Sequence, residues 1–371
     1  MENHASDGYR VELVSSPSRS EVEEFWCDLQ GRSDGKFFLS WLWIGTWIDV
    51  MEPAFDLLVV RRSDVVVALG CLSKPLWRKR NGVPICRQVF LNETGDASRD
   101  QQWIEYNGFL TANGHKEKAT EAAVNYLLAL PGWDELVVGV ACESELKLFD
   151  NPGFFHKHIR WESTSHATDL TKFTAESAFL SSLSRNARHQ VRRTARLYEE
   201  YGEQRIERAA TVDEALVMLD EIAPMHEERW GSGWLGSGFS NPRFVHFHKL
   251  LIKSGFSEGK IDVIRIRYGA EVLGYFYNIL FDSRVYFYLS ALPRVEDNRL
   301  KPGLLGHSLL IERYALAGFE SYDFMGGGES YKDRLASRGE TVCRVAFQRP
   351  RPLLRLESAL RRSKNLLDRN Q

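Results

Sequence analysis

The stretch KIDVIRIRYGAEVLGYFYNILFDSRVYFYLSAL, Lys260–Leu292, decides the fold. Three runs rich in β-branched and aromatic residues are separated by the turn sequences YGAE and FDSR, a pattern that predicts two consecutive hairpins. A helical pattern follows at Pro302–Ala317, and then the apolar strand ESYDFM. The order strand, strand, strand, helix, strand indicates an α/β unit with a mixed sheet.

The first half of the chain repeats this order. A hairpin pattern at Phe55–Leu76 surrounds the turn RRSD, a third strand lies near Ile85–Leu91, and the helical segment Lys116–Leu130 leads to the strand ELVVGVA. A chain of 371 residues suits two domains, so we predict two copies of one α/β unit. The predicted boundaries are 1–170 for the first domain, 171–348 for the second, which includes a basic helix at 182–202, and 349–371 for a basic amphipathic tail.

Composition places the chain among soluble globular proteins. It is 43% hydrophobic and 26% charged, and its net charge of −2 argues against a general attraction to nucleic acid, so we expect no DNA partner. The five cysteines are scattered without CxxC spacing, which argues against a disulfide framework or a zinc site. We see no signal peptide and no stretch long enough to span a bilayer, and we expect a cytoplasmic protein.

The segment SLSRNARHQVRRTARLYEEYG, Ser182–Gly202, predicts an amphipathic helix with a row of arginines. At about 100° per residue, its alanines, Val191 and Tyr198 share one face, and Arg188 and Arg192 lie in a row on the other with two further arginines. Guanidinium groups suit phosphates and carboxylates, so the row predicts contact with a polyanionic substrate or surface. The alternative is a solvated face paired with the acidic residues Glu199, Glu200 and Glu203.

Pro302 marks a second candidate site, at the start of the helix that follows the hairpins. Gly303 and Gly306 lie in its first turns, so backbone N–H groups and the positive end of the helix dipole are accessible to an anion such as a diphosphate. The sequence lacks the GK[ST] of a Walker A loop and is not GxGxxG.

The stretch SYDFMGGGESYKDRLA, Ser321–Ala336, leaves a buried strand through three consecutive glycines. Glycine permits a sharp turn or a close backbone approach. Glu329, Tyr331 and Lys332 follow the triplet and supply a carboxylate, a phenol and an ammonium group at one strand end.

Four segments together resemble a known family: SRNARHQVRRTARLYEEYG, HEERWGSGW at His226–Trp234, KPGLLGHSLL, and YDFMGGGESYKDRL. Their order and spacing are similar to those of GNAT acyltransferases of the CelD/BcsL type, which are related to the Fem peptidyltransferases built from two tandem GNAT-like domains. The N-terminal FFLSWLWIGTW resembles that family's entry segment. The resemblance covers about Phe37–Arg344 and is strongest after Ser182.

The resemblance implies tandem GNAT-like domains and transfer of an acyl group to an amine of an envelope or exopolysaccharide precursor. The turn that cradles the pyrophosphate of coenzyme A in GNAT enzymes would be formed by Lys301, Gly303, Leu304, Leu305 and Gly306. The usual (Q/R)xxGx(G/A) pattern is out of register here, which leaves acyl-CoA, the phosphopantetheine of an acyl carrier protein and aminoacyl-tRNA open as donors. A Fem-like, tRNA-dependent aminoacyl transferase and a non-catalytic component of a polysaccharide synthesis complex are the alternatives.

Acyl transfer needs a neutral amine, a polarised carbonyl and a proton for the leaving group. We predict Tyr331 as the acid, Lys332 as an oxyanion or phosphate contact, and Glu329 as a base or amine-binding group. A tyrosine that packs over the glycine turn is the alternative for Tyr331. Asp323 could likewise serve as a base or hold the acceptor amine, and for this residue we favour a structural role, as a cap or salt-bridge partner at the strand end.

His226, Arg229 and Trp230 are predicted on one helical face, where they could bind the acceptor, with His226 as a base. A structural histidine at a helix end is the alternative. Tyr106 and Asn107, next to a predicted strand, could line an acceptor pocket. No metal is expected, since His246 and His248 are two apart on a probable helix without a completing carboxylate.

The tail RPRPLLRLESALRRSKNLLDRNQ, Arg349–Gln371, alternates leucines with basic residues. It could lie on an anionic membrane at the inner face of the cell membrane, as a peripheral contact. A helix docked on the protein itself is the alternative.

Overall fold

The computed structural model describes residues 5–6, 8–175, 178–231, 236–327 and 331–368. By its internal contacts the chain divides into two units. Unit 1 consists of Met1–Glu162 and Thr341–Gln371, and unit 2 consists of Ser163–Glu340.

Unit 1 is built around a sheet with the strand order β1-β2-β3-β4-β6-β8-β15. Every neighbouring pair for which a register is given is antiparallel except β6 and β8, which are parallel. Helix α2 is preceded by a short 3-10 turn, Phe37–Leu39, and its N-cap is Ser40. The strands are β1 (Ala5–Ser6), β2 (Tyr9–Ser15), β3 (Phe55–Arg62), β4 (Val65–Ser73), β5 (Leu76–Arg80), β6 (Val83–Leu91), β7 (Leu110–Thr111), β8 (Glu135–Cys142) and β15 (Ser337–Gln348), and the helices are α1 (Arg19–Gln30), α2 (Trp41–Met51), α3 (Lys116–Ala129), α4 (Glu143–Lys147) and α11 (Pro352–Asp368).

Unit 2 has the strand order β9-β14-β13-β12-β11-β10. Strands β13 and β14 are parallel, and the other neighbours are antiparallel. The order β11, β12, β13, helix, β14 is that of β3, β4, β6, helix, β8 in unit 1. The strands are β9 (His156–Asp169), β10 (Gln204–Arg208), β11 (Ile261–Tyr268), β12 (Glu271–Phe281), β13 (Arg284–Ala291) and β14 (Ser321–Gly326), and the helices are α5 (Ala178–Ser182), α6 (Arg185–Glu199), α7 (Val212–Trp230), α8 (Pro242–Gly255), α9 (Pro302–Leu316) and α10 (Lys332–Leu335).

The core of unit 2 lies between the sheet and helices α6 and α9. Helix α6 buries Ala187, Val191 and Tyr198, as its predicted apolar face requires. Helix α9 lies close to β12 because position 306 is glycine. A Cβ there would be 2.3 Å from the ring of Phe276, which is far inside van der Waals contact.

The unit boundaries differ from the predicted domain boundaries for a reason visible in the strand ladders. Residues 165–169 of β9 pair with β14, so they belong to unit 2 although we assigned them to the first domain. Residues 342–348 of β15 pair with β8, which places the chain from Thr341 onward in unit 1. Sequence patterns locate strands, but they do not reveal the neighbour with which an edge strand pairs.

Candidate functional site

Strands β13 and β14 of unit 2 separate after a short parallel ladder. The ladder contains three residue pairs and ends at Tyr286 and Asp323. Strand β13 continues to Ala291, paired with β12. The gap between the two strands therefore opens toward their carboxyl ends, beside the loop that leads into α9.

The exit of β14 is a strained turn. Asp323 is buried, and its carboxylate accepts hydrogen bonds from the Met325 N–H (2.8 Å) and from Arg284 (3.1 Å), in keeping with the predicted structural role. Met325 lies at a break in the β14 register with φ +57°. Gly327 has φ +138°, a conformation that side chains disfavour, so at least this glycine of the triplet is needed for the turn. Gly328 and Glu329, the predicted carboxylate of the site, lie outside the described residues.

Lys332 is buried, with 3% of its surface exposed. Its Nζ donates to the carbonyl oxygens of Phe324 (3.0 Å) and Gly326 (2.8 Å), so the ammonium group holds the end of β14 against the first turn of α10. These contacts use two of its three donors for the fold. A role in positioning the strand exit thus accompanies the predicted role at an oxyanion or phosphate.

Tyr331 packs over a buried histidine that the sequence analysis missed. Its ring is nearly parallel to that of His307, with centroids 5.1 Å apart and an angle of 11°. His307 is fully buried, and its Nδ1 lies 3.0 Å from the Tyr322 hydroxyl, while its Nε2 is buried without a partner. Burial, with the charge of Lys332, lowers the pKa of His307 to about 3, so the imidazole is neutral at physiological pH.

The start of α9 is open. Lys301 is the N-cap, no side chain caps the helix, and Pro302 is in the first turn. Leu304 and Leu305 bury their side chains in the core, so these two predicted cofactor residues can offer a ligand only their backbone. The Leu305 N–H already bonds to the Lys301 carbonyl, which leaves the N–H groups of Gly303 and Leu304 at the helix end.

Helix α6 contacts the loop that enters α9. The Thr194 hydroxyl bonds to the Arg299 carbonyl (3.3 Å) and accepts from the Lys301 N–H (3.2 Å). Arg193 is on the same turn, and its Nε is buried without a hydrogen-bond partner. Hydrogen bonds from Arg299, together with the charge of Arg193, lower the pKa of Asp297 in this loop. The basic helix and the open helix start therefore form one continuous cationic region.

The arginine row of α6 borders a surface groove of about 480 Å³. Arg188 donates to the Ser181 carbonyl (3.0 Å), and Arg192 is exposed. Within the part of the chain that the structure describes, no carboxylate forms an ion pair with any arginine of the row, so the pairing with Glu199, Glu200 and Glu203 that we considered as the alternative is not observed. The residues that line the groove are Arg185, Arg188, His189, Arg192, Arg193 and Arg196.

His226 lies near the end of α7, and its Nδ1 is 2.8 Å from the Ser237 hydroxyl. Burial, with the charge of Arg229, lowers its pKa to about 4. It is therefore neutral at physiological pH, but a weak base. Trp230 is 51% exposed, and the Arg229 guanidinium lies 5.4 Å from the centroid of its ring, so both are accessible to a ligand.

A chain of ring contacts leads from His226 to β13. It passes through Phe239 and Phe244 to the buried His248, whose Nε2 is 3.1 Å from the Tyr288 hydroxyl. Tyr288 belongs to the part of β13 that extends beyond its ladder with β14. The predicted acceptor-binding residues on α7 are thus connected to the gap by packed aromatic side chains.

Tyr106 and Asn107 lie in unit 1, where Asn107 has a structural role. Asn107 is 1% exposed, and its side chain donates to the Leu91 carbonyl (2.8 Å) and accepts from Asn92 (2.9 Å). These bonds leave little of the amide for a ligand. Tyr106 has φ +52°, and its ring packs near that of Phe38, with centroids 6.4 Å apart.

The structure places the described site residues predicted in the second half of the chain in unit 2, at three locations. Tyr331 and Lys332 are at the exit of β14, the α9 start lies beside Thr194 and Arg193, and His226 is linked to β13 by ring contacts. His307 and Tyr322 were missed because a histidine in an apolar helix and a tyrosine in an apolar strand look like core residues. Their hydrogen bond appears only when α9 packs on the sheet.

Two further kinds of site were considered. Among the described residues, no group of three or more histidine, cysteine, aspartate or glutamate side chains could hold a metal ion. Of the helices the structure describes, none is long and apolar enough to cross a membrane.

Comparison with known protein families finds a match within unit 2. Residues 185–333, from α6 to α10, match the family described as "Acetyltransferase (GNAT) domain". No curated protein sequence matches the chain.

Similar solved structures cover nearly the whole chain. FemX is 13% identical with a TM-score of 0.59 and covers 93% of this chain and 99% of its own. The C-terminal domain of a putative lysylphosphatidylglycerol synthetase from Agrobacterium fabrum is 11% identical (TM-score 0.53, 92% and 97% covered), and L-PGS from Bacillus licheniformis is 12% identical (TM-score 0.52, 95% and 98% covered). Similarity at this level of identity concerns the fold, and the predicted class of mixed α/β sheets in tandem GNAT-like domains is confirmed.

Proposed function

We propose that this chain, an acyltransferase through its GNAT domain, transfers an acyl group from a phosphopantetheine thioester to an amine of an envelope or exopolysaccharide precursor. Coenzyme A or an acyl carrier protein would carry the thioester. The observation that carries the proposal is the gap between β13 and β14, which opens beside an uncapped helix start flanked by arginines. The acceptor class, like the assignment to the CelD/BcsL type, rests on the sequence resemblance.

The donor's phosphates would bind at the start of α9. The N–H groups of Gly303 and Leu304 and the helix dipole favour an anion there. Arg193, with its unpartnered Nε, would neutralise the remaining charge. The extended, amide-containing arm of phosphopantetheine would then follow the free edge of β13, where backbone groups can bond to it as a neighbouring strand does.

In the transfer step, the neutral amine attacks the thioester carbonyl, a C–N bond forms and the C–S bond breaks. The attacking nitrogen loses a proton to water, the departing thiolate gains one from an acid of the site, and water then restores the proton of that acid. The Tyr331 phenol, held on the ring of His307, would supply the proton to sulfur. His226 would accept the amine proton only weakly because its pKa is about 4, and its bond to Ser237 favours a role in holding the acceptor.

Trp230 and Arg229 would form the outer part of the acceptor site. An exposed indole ring offers an apolar face to a sugar, and the guanidinium group beside it can bond to a hydroxyl or phosphate oxygen. This arrangement fits an amino sugar or a glycan precursor that carries an amine.

A tRNA-linked aminoacyl donor is the second candidate, and the length of the arginine row favours it. From Arg185 to Arg196 the row extends over roughly 16 Å at 1.5 Å per residue, longer than one diphosphate requires. Four guanidinium groups in line match several successive phosphates of a nucleic acid backbone.

Binding measurements with coenzyme A decide between the candidates. We expect purified chain to bind acetyl-CoA in calorimetry and to carry a phosphopantetheine compound detectable by mass spectrometry. Arg193→Met should weaken this binding about tenfold, which corresponds to the loss of one charged hydrogen bond. Arg313→Met, on the last turn of α9 and therefore at the opposite end of that helix from the proposed phosphate site, is the matched control and should bind as wild type does. Absence of binding, together with acyl transfer that ribonuclease abolishes, would establish the tRNA-dependent candidate instead.

A further inference from the structure

Helix α11 presents a leucine stripe to solvent. Leu353, Leu356 and Leu360 are 50%, 57% and 59% exposed. Their spacing of three and four residues places them in one line along the helix. Single exposed leucines are ordinary, but a row of three on one helical face is a feature that needs a partner.

The opposite face of α11 is buried and partly polar. Leu354 is fully buried, and Glu357 and Ser358 are each 7% exposed. Glu357 accepts two hydrogen bonds from the Arg78 guanidinium (3.0 and 2.6 Å), and these bonds with Arg78 lower its pKa. The bidentate pair fixes the rotation of the helix, so the leucines face outward in the folded state rather than docking on unit 1.

Basic residues surround the stripe. Arg351, which precedes α11, and Arg355 on the helix are exposed, and Arg80, on the neighbouring hairpin, has 63% of its side chain exposed. Residues 349–371 contain seven arginines and lysines and only two acidic residues, of which Glu357 is already paired. Arg351 and its acidic neighbour Asp134 offset each other as an ion pair, and the positive sign of this surface comes from the excess of five basic over acidic residues in 349–371.

We propose that the outward face of α11 binds an anionic lipid surface. An amphipathic helix with a leucine stripe between cations lies in the membrane plane, with its apolar side chains among the acyl chains and its cations at the headgroups. A second copy of the chain fits less well, because a symmetric contact through this face would bring the same cations of the two copies together. The inference concerns unit 1 and is independent of the substrates proposed above.

Flotation of the full chain with lipid vesicles tests the proposal. We expect binding to phosphatidylcholine vesicles that contain phosphatidylglycerol, weak binding to phosphatidylcholine alone, and weakening as salt is raised. The double variant Leu356→Glu, Leu360→Glu should lower the fraction bound by about tenfold or more, since it removes apolar burial and adds repulsion. Leu316→Glu, at a 52% exposed leucine that ends α9, is the matched control and should float with vesicles as wild type does.

Because the substituted leucines are exposed, the variants should keep the wild-type melting temperature, which circular dichroism checks. Failure of the wild-type chain to bind anionic vesicles would overturn the proposal, and so would unchanged binding by the double variant. Light scattering adds a third outcome. A dimer that the double variant dissociates would identify a second copy as the occupant and likewise overturn the lipid assignment.

Discussion

Each unit contains a parallel strand pair, β6 and β8 in unit 1 and β13 and β14 in unit 2. The units differ in the contacts found where these strands separate. In unit 1, Asn107 bonds to Leu91 of β6 through its side chain and to Val140 of β8 through its N–H (both 2.8 Å), so one residue bridges the separating strands. The buried carboxylate of Glu93 lies against Gly139, where a Cβ would be 2.7 Å from it. In unit 2, the Lys332 ammonium bonds to two carbonyls of β14, those of Phe324 and Gly326.

The comparison indicates that strand order by itself does not produce a binding site for the acyl donor. A side chain that bridges both strands closes the gap in unit 1. In unit 2 the two strands separate after three residue pairs, and we infer that the gap beyond them is available to an extended molecule. We therefore expect the acyl donor to bind unit 2, and four variants test the contrast.

The largest effect is expected for Lys332→Met. The variant leaves the Phe324 and Gly326 carbonyls without their partner, so the free energy of unfolding should fall by about 2–4 kcal/mol. Turnover should fall more than about a hundredfold, because the strand exit that positions Tyr331 moves. Thermal unfolding and an acyl-transfer assay measure both. Lys172→Met, at a lysine with 70% of its side chain exposed, should change neither. Wild-type stability in Lys332→Met, with lost turnover, would show that the ammonium acts in the reaction and not on the strand.

Gly306→Ala comes next. Its Cβ would overlap the Phe276 ring, so α9 must move away from the sheet at a cost of about 1–3 kcal/mol. Since the N-terminus of α9 is the proposed phosphate site, we expect donor affinity in calorimetry to fall about tenfold. In the control Gly303→Ala, the Cβ approaches only the end of the Leu292 side chain, at 3.0 Å, and a smaller change is expected. If Gly306→Ala and wild type bind the donor with equal affinity, the donor does not bind at the start of α9.

Reversal of charge on the arginine row should have a moderate effect that depends on salt. The double variant Arg188→Glu, Arg192→Glu should raise the KM for the donor about tenfold at low ionic strength, with a shrinking difference as salt screens the charges. Arg313→Glu with Lys253→Glu makes the same change of charge on other helices and is the control. If both double variants raise the KM for the donor equally, the change in net charge explains the effect, and the arginine row does not bind the donor.

Glu93→Gln should have the smallest effect on turnover and a clear effect on stability in unit 1. Burial raises the pKa of Glu93 to about 7, against the opposing charge of Arg344. The folded state then binds a proton that the unfolded state has released, so the stabilising contribution present below pH 4.5 is lost as pH rises toward 7. Denaturant unfolding across this range should show that the free energy of unfolding of the wild type falls as pH rises. Glu93→Gln should reduce this slope. If the free energy of unfolding of Glu93→Gln depends on pH as steeply as that of the wild type, groups other than Glu93 cause the dependence.

Much of the fold could be predicted from the sequence because local residue patterns determine where its strands and helices form. The alternation in Lys260–Leu292 gave three strands, and the spacing of Ala187, Val191 and Tyr198 gave the buried face of α6. The roles of Lys332 and Asn107 could not be predicted in this way. A lysine beside a tyrosine looks like a catalytic pair, and only the packing of α10 on β14 shows that its ammonium bonds to backbone carbonyls. An asparagine beside a strand looks like a pocket residue until its three partners are seen.

The chain enters unit 1, leaves it for unit 2 and returns, and this path affects how the protein is made. During synthesis, unit 2 is complete when residue 340 has emerged, whereas β8 still lacks its neighbour β15. Until β15 has left the ribosome, β8 presents an apolar, unpaired strand edge of the kind that aggregates. A nascent chain stopped before Thr341 would therefore be a natural client for chaperones, and the pairing of β15 with β8 decides whether unit 1 closes.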